Sequence, residues 1–215
     1  MNSSIEALQI VDWRRRTWGL YAGVRQLSAN DPKAGHDLWR SVRDEMFAGH
    51  PSSPLLPDDR LGFTGLTVAP YDPDWRFEAE VHRAEEPQRL MLETGTDGVV
   101  PFDLIGSVRL PYIGSLDVWR VAGYAGGIFM PLKDGTAGKP GGTYGGGRYL
   151  LDTIKGADLG PGVGDDTLII DFNFTFNPSC VYDPIWACPL PQAGNTVTAD
   201  VPVGELLPSF YPVYD

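Results

Sequence analysis

Ile10, Trp13, Thr17, Leu20, Val24 and Leu27 recur at spacings of three and four, which lays one apolar stripe along a helix. The period breaks at Asn30-Asp31-Pro32. There Asp31 can accept from free backbone N–H groups, and Pro32 suits a first turn that needs no donor. A second helix then carries Leu38, Trp39, Val42 and Met46 inward and stops near Gly49. So short a connection predicts an antiparallel helical hairpin over residues 1–50.

Residues 51–74 contain five prolines and several turn formers, which predicts an extended connector lying on the surface of the next part. From Trp75 the period becomes two. Trp75, Phe77, Ala79 and Val81 alternate with charged residues, as a half-buried strand requires. Segments near 75–83, 88–94, 99–110, 115–122, 127–132, 148–153 and 167–176 are strand-like, and turn residues separate them. Thr96-Asp97-Gly98, Gly114-Ser115 and Gly123-Tyr124 read as hairpin turns. The expected fold class is α+β: an N-terminal helical hairpin packed on a small antiparallel β-barrel or strongly curved sheet. Residues 75–215 would be a β-rich core with an ordered C-terminal loop, all within one integrated domain.

Charge narrows the function classes. The 215 residues carry 28 Asp plus Glu against 17 Lys plus Arg, a formal net charge of -11. A nucleic-acid or anionic-membrane binder needs a basic face, so neither partner is expected. The Arg14-Arg15-Arg16 run is expected to pair with acidic neighbours or stay solvated. No stretch approaches 18 unbroken apolar residues, and MNSSIEALQIVDWRRR lacks the pattern of a secretory leader. The expected location is the cytoplasm. His36, His50 and His82 are scattered, without metal-ligand spacing, so no metal is expected.

Candidate chemistry concentrates in the last third. Asp134 to Arg148 reads DGTAGKPGGTYGGGR, with seven glycines in fifteen residues. Such a loop can turn many N–H groups toward one point, flanked here by Lys133 and Lys139 and closed by Arg148. That grouping suits an anionic ligand such as a phosphate or carboxylate. Neither a Walker loop nor a Rossmann fingerprint is present. The alternative is a long hairpin whose Arg148 pairs with a core carboxylate.

Further on, Asp171, Asn173, Thr175 and Asn177 would share one face of a strand, with Phe172, Phe174 and Phe176 on the other. A polar row on a central strand must be satisfied or wetted. Arg148 would partner Asp171, facing a hollow. The segment 177–195 is rich in proline yet carries Val181, Tyr182, Ile185, Trp186 and Leu190, which predicts an ordered, packed loop. Its two cysteines, Cys180 and Cys188, read as buried thiols, as a bridge or redox pair, or as a nucleophile at Cys180. The last case needs a base, for which His50 is the candidate.

The string TYGGGRYLLDTIKGADLG (143–160), followed by LIIDFNFTFNPSCVYDPIWACPLP and Asn195, resembles the bacterial family called Domain of Unknown Function 1684. DWRRR at 12–16, HPSSPL at 50–55, FTGL with PYDPDWRF, and Gly204-Glu205 fit the same resemblance. It implies one constellation: Thr143, Tyr144, Gly147, Arg148, Tyr149, Asp171, Asn173, Asn177, Cys180, Tyr182, Cys188 and Asn195. Thr175-Phe176 departs from the family's usual Ala-Tyr, which removes a phenolic hydroxyl.

Two functions are open. In the first, Lys133, Thr143, Tyr144, Arg148, Tyr149, Asn173 and Asn177 bind a polar or anionic small molecule in a barrel pocket. Any catalysis would use Asp171 as base and Cys180 as nucleophile. No reaction class follows, and whether the chain is an enzyme stays open. No cofactor is expected, a flavin resting on fold-level analogy alone. In the second, the chain is a structural or interaction module whose Arg/Asp/Asn network only stabilises the fold. Homodimerisation through the helical hairpin is the remaining partner expectation. An accessible hollow lined by Arg148 and Asp171 marks the first function; full burial with mutual satisfaction marks the second.

Overall fold

Asp31 sets the first corner. In the computed structural model, which describes residues 3–94, 98–124, 126–208 and 211, its side chain accepts from the Ala34 N–H and Pro32 opens the second helix. Helices α1 (Ser3–Ser28) and α2 (Pro32–Gly49) pack as a hairpin. The stripe on α1 is shifted from the expected one. Leu20, Tyr21 and Val24 are buried, whereas Ile10 and Leu27 are exposed. Arg16 pairs with Asp12 one turn away, and Arg14 donates to the Ile154 carbonyl.

The connector is more structured than its prolines suggest. It forms a short helix α3 (Pro57–Leu61), and Val68 bridges to Glu205, which ties the connector to the end of the chain. Among the described residues eight strands follow: β1 (Arg76–Glu80), β2 (His82–Arg83), β3 (Arg89–Thr94), β4 (Gly98–Leu110), β5 (Gly114–Val121), β6 (Ile128–Leu132), β7 (Arg148–Asp152) and β8 (Thr167–Asp171). The six-stranded sheet runs β2-β4-β5-β6-β7, with β3 also on β4, and every pairing is antiparallel. Bulges at Leu104/Gly106 and Met130/Pro131 bend it.

The fold is therefore α+β, but the sheet is not closed into a barrel. Strands β1 and β8 pair apart as a two-stranded ribbon, and β7 is bridged by Phe176 instead of another strand. The β4–β5 turn lies at Pro111–Ile113, with Tyr112 at φ +65°, just before the expected Gly114-Ser115. Thr96 and Asp97 lie outside the described residues. The core joins Leu20, Val24 and Trp39 of the hairpin to Val108, Leu116, Met130, Leu150 and Ile170 of the strands. Trp39 keeps its indole N–H satisfied by donating to the Tyr21 hydroxyl at 3.0 Å.

Candidate functional site

The glycine loop folds back on itself. The N–H groups of Gly135, Ala137, Gly138, Lys139, Gly142, Thr143 and Gly147 are bonded to backbone carbonyls, mostly inside the loop. They are thus spent on the loop's own closure and not gathered toward an anion. Lys133 uses its backbone to hold Asn195 and Val197, while its side chain, like that of Lys139, is exposed.

Arg148 sits on the first position of β7 with 0% exposure. Its Nη1 donates to the Val203 and Glu205 carbonyls at 2.5 and 3.1 Å. Its Nη2 donates to Asp134 Oδ2 and to the Val201 carbonyl, both at 3.0 Å. The expected partner Asp171 is therefore replaced by Asp134, which is nearer in the chain and equally enclosed. Asp134 Oδ2 also accepts from Thr143 Oγ1 at 2.8 Å, and its Oδ1 accepts from the Thr136 N–H and hydroxyl. Burial raises the Asp134 carboxyl, but the Arg148 charge and the threonine donors outweigh it and hold it below the usual range.

A second pair joins a partly buried arginine to a buried acid. Glu205, 0% exposed, is bonded by Arg43 of α2, and its carboxylate accepts from the Asn177 N–H and Nδ2, both at 3.2 Å. Asn177 Nδ2 also donates to the Leu206 carbonyl at 2.9 Å. The Arg43 guanidinium lies over the Trp39, Phe47 and Phe176 rings at 4.7, 5.1 and 5.4 Å, favourable cation–π contacts. Burial pushes the Glu205 carboxyl up, opposed by Arg43 and Asn177.

Asp171 and Asn173 form a separate unit. The chain leaves β8 at Asp171 and turns through one 3-10 turn, Phe172–Phe174, so the expected strand over 172–176 and its alternating faces are absent. Both phenylalanines and Asn173 go inward. The cause is local: Asp171 Oδ1 accepts from Asn173 N and Nδ2, which competes with a sheet ladder. Asn173 also bonds the backbone of Asp72 through both side-chain atoms. Asp171 Oδ2 faces Arg76 Nη1 at 3.3 Å and the Tyr71 hydroxyl at 3.5 Å. Burial raises this carboxyl, and it is sealed at 0% exposure, so a base role there has no access.

Near the surface, the glycine and cysteine loops meet. Tyr144 Oη lies 4.0 Å from Cys180 Sγ, and Tyr149 Oη donates to the Pro189 carbonyl at 2.8 Å. Both cysteines are free and partly exposed. His50, the expected base for Cys180, is committed elsewhere. Its Nδ1 accepts from the Ser52 N–H and its Nε2 meets Asp12 Oδ2 at 3.1 Å. Asn195 is buried between Trp119 Nε1 and the Asp117 carbonyl.

Apart from Lys133, whose side chain is exposed, the expected site residues thus fall into three groups: Thr143, Arg148 and Asn177; Asp171 and Asn173; Tyr144, Tyr149 and Cys180. Neither of the two best-formed hollows among the described residues joins them. Both lie along α1. One, of about 20 Å³, is walled by Trp13, Tyr21, Arg43 and Phe47 and has room for one water. The other is an open groove of about 390 Å³ bordered by Leu8, Asp12 and His50.

Sequence reasoning missed Arg43 altogether and did not assign Asp134 as the partner of Arg148. Asp134 was findable, since Asp-Gly-Thr is a strong local turn in which the acid binds donors two residues on. Among the described residues no group of three or more His, Cys, Asp or Glu is placed to hold a metal ion, and no helix is long and apolar enough to cross a membrane.

No curated protein matches the chain. Among solved structures, the solution NMR structure of an uncharacterised protein from Haloarcula marismortui is similar, at 32% identity and a TM-score of 0.57. It covers 83% of this chain and 96% of its own. The model of the protein family of unknown function DUF1684 matches residues 61–206. The DWRRR and HPSSPL stretches precede that span, whereas Arg148, Asp134, Glu205, Asp171 and both cysteines lie inside it. The chain belongs to the DUF1684 family.

Proposed function

We propose that the chain is a structural or interaction module in which the Arg148–Asp134 and Arg43–Glu205 pairs lock the C-terminal segment and the helical hairpin onto the sheet. One observation carries this reading. Arg148 is fully enclosed, and among the described residues its Nη1 and Nη2 donate to Asp134 and to the carbonyls of residues 201, 203 and 205. An incoming phosphate or carboxylate would have to displace Asp134, which already has three further donors. The polar-ligand reading needs an opening at Arg148, and the best-formed hollows among the described residues lie elsewhere.

The test is a thermal-shift screen of phosphorylated and carboxylated metabolites on the wild type and on Arg148→Met. The lock predicts no stabilising compound and a much lower melting temperature for the variant. A compound that raises the wild-type melting temperature, but not that of a variant with unchanged basal stability, overturns it.

A further inference from the structure

We propose that the free edge of β3 is the interface of a twofold dimer, in which a second copy of this chain adds its own β3 antiparallel and centred on Met91. This is a face that the Arg148 lock does not use. Strand β4 has β5 on one side over residues 102–110, so β3, paired with residues 98–103, occupies the other. Among the described residues no strand lies beyond β3. Of the devices that close such an edge, β3 has neither a proline nor a bulge, and its two charges are of opposite sign. Met91, at its middle, is 60% exposed.

The ladder fixes which backbone groups face outward. The Leu104 N–H donates to the Gln88 carbonyl, so Gln88 and every second residue after it bond to β4. Pro101, opposite Met91, sends its carbonyl the other way, to the Ala122 N–H. Arg89, Met91 and Glu93 therefore present their N–H and C=O groups along the edge. The edge is complementary to itself: with Met91 opposite the partner's Met91, Arg89 meets the partner's Glu93 and Leu90 meets the partner's Leu92, and the reverse holds. The two neighbouring registers that keep the outward groups opposed set Met91 against Arg89 or against Glu93 instead.

Both faces of the sheet continue across this axis. On one, Arg120 of β5, Asp103 of β4 and Arg89 of β3 stand in a row. Asp103 accepts from Arg89 Nε at 2.7 Å and from Arg120 Nη2 at 3.3 Å, so two cations share one carboxylate. The partner's Glu93 is the next member of that row and restores the alternation of sign. Glu93 itself is exposed. On the other face, the half-buried Leu90 and Leu92 pack against the cluster of Phe102, Trp119, Phe129 and Tyr149. The partner's leucines extend that apolar cluster past the edge where it now ends.

Analytical ultracentrifugation of the full chain tests the proposal, with circular dichroism and thermal melts to check folding. The wild type is expected to sediment as a dimer within the micromolar range. Glu93→Arg should weaken the dimer at least about tenfold, because both charge pairs across the axis reverse sign at once. Met91→Pro should do the same, since it removes an outward N–H and leaves the bonds to β4 in place. Arg89→Glu, monomeric alone, should form a mixed dimer with Glu93→Arg, in which every charge again meets its opposite. A wild type that stays monomeric throughout the micromolar range overturns the proposal. A dimer that survives both Glu93→Arg and Met91→Pro uses another face, such as the helical hairpin, and overturns it too. So does a mixture of the two folded charge variants that remains monomeric.

Discussion

Replacing Arg148 by Met keeps an unbranched stem and removes the guanidinium with its charge and its donors. Three carbonyls, those of Val201, Val203 and Glu205, then lose their guanidinium donors, and Asp134 keeps its threonine donors but loses its countercharge. Breaking a buried pair from one side costs about 3–5 kcal/mol, because the remaining charge is left enclosed. Each stranded carbonyl adds to the demand, but methionine packing and local relaxation offset part of it, so the same range serves for the whole change. At roughly 2–4 °C per kcal/mol for a chain of this size, the melting temperature should fall by about 6–20 °C. Asp134→Asn combined with Arg148→Met should be less damaging than the sum of the two single changes, since no charge is then left buried alone. Thermal and urea melts read both quantities. A drop of less than about 2 °C in Arg148→Met would mean that these bonds do not hold the fold, and the structural lock would be refuted.

Arg43→Leu should lower stability by about 3 kcal/mol in urea titrations, because it leaves the Glu205 carboxylate buried without its cation. His36, enclosed among Trp39, Tyr71 and Phe174, has its pKa lowered to about 4, first by burial and then by the charge of Arg40. The unfolded chain therefore binds this proton more readily, and stability should fall as the pH drops from about 6.5 toward 4. The buried carboxyls of Asp152, Asp171 and Glu205 are raised and act in the opposite sense, above the ordinary carboxylate value and so within the same window. His36→Leu isolates the histidine: its melts should lose sensitivity in that window, and an unchanged profile would count against the assignment. Gly204 adopts φ +77°, and an added Cβ would lie 1.9 Å from Thr175 Oγ1 and 2.7 Å from the Phe172 carbonyl. Gly204→Ala should thus destabilise by more than the about 1–3 kcal/mol of backbone strain alone, as urea midpoints would reveal.

The helices and most strands were legible because their signals are local. A period of 3.6 residues in the first fifty positions and a period of two after Trp75 each survive in the structure. The failure at residues 172–176 has a definable cause. Phe172, Phe174 and Phe176 alternate as a strand would, yet Asp171 binds the Asn173 amide and closes a turn that carries Phe172 and Phe174 inward together. The Asp-x-Asn spacing was the competing signal, and it outweighed the apolar period. The Arg43–Glu205 pair was not legible: 162 positions separate its members, and only tertiary packing brings them together. Arg148 lay between these extremes. Its burial beside a carboxylate was one of the two readings open from the sequence, while the identity of that carboxylate depended on how the glycine loop closed.

Why a buried arginine stands here follows from the backbone that it serves. Val201, Val203 and Glu205 send alternate side chains inward, as a strand would. Pro202, which separates the first two, has no N–H to give to a ladder. The segment lies beneath the sheet without belonging to a strand, so its inward carbonyls need donors from elsewhere. One guanidinium meets three of them at once, at 201, 203 and 205, and Asp134 neutralises its charge. Lysine could not replace it at equal strength, since its single ammonium cannot span several carbonyls and a carboxylate with planar geometry. Arg148→Lys therefore belongs with Arg148→Met in the melting experiments, with stability intermediate between that variant and the wild type. On this reasoning the guanidinium acts as the missing neighbour of the C-terminal segment, and its enclosure is required by the fold whatever the protein meets at its surface.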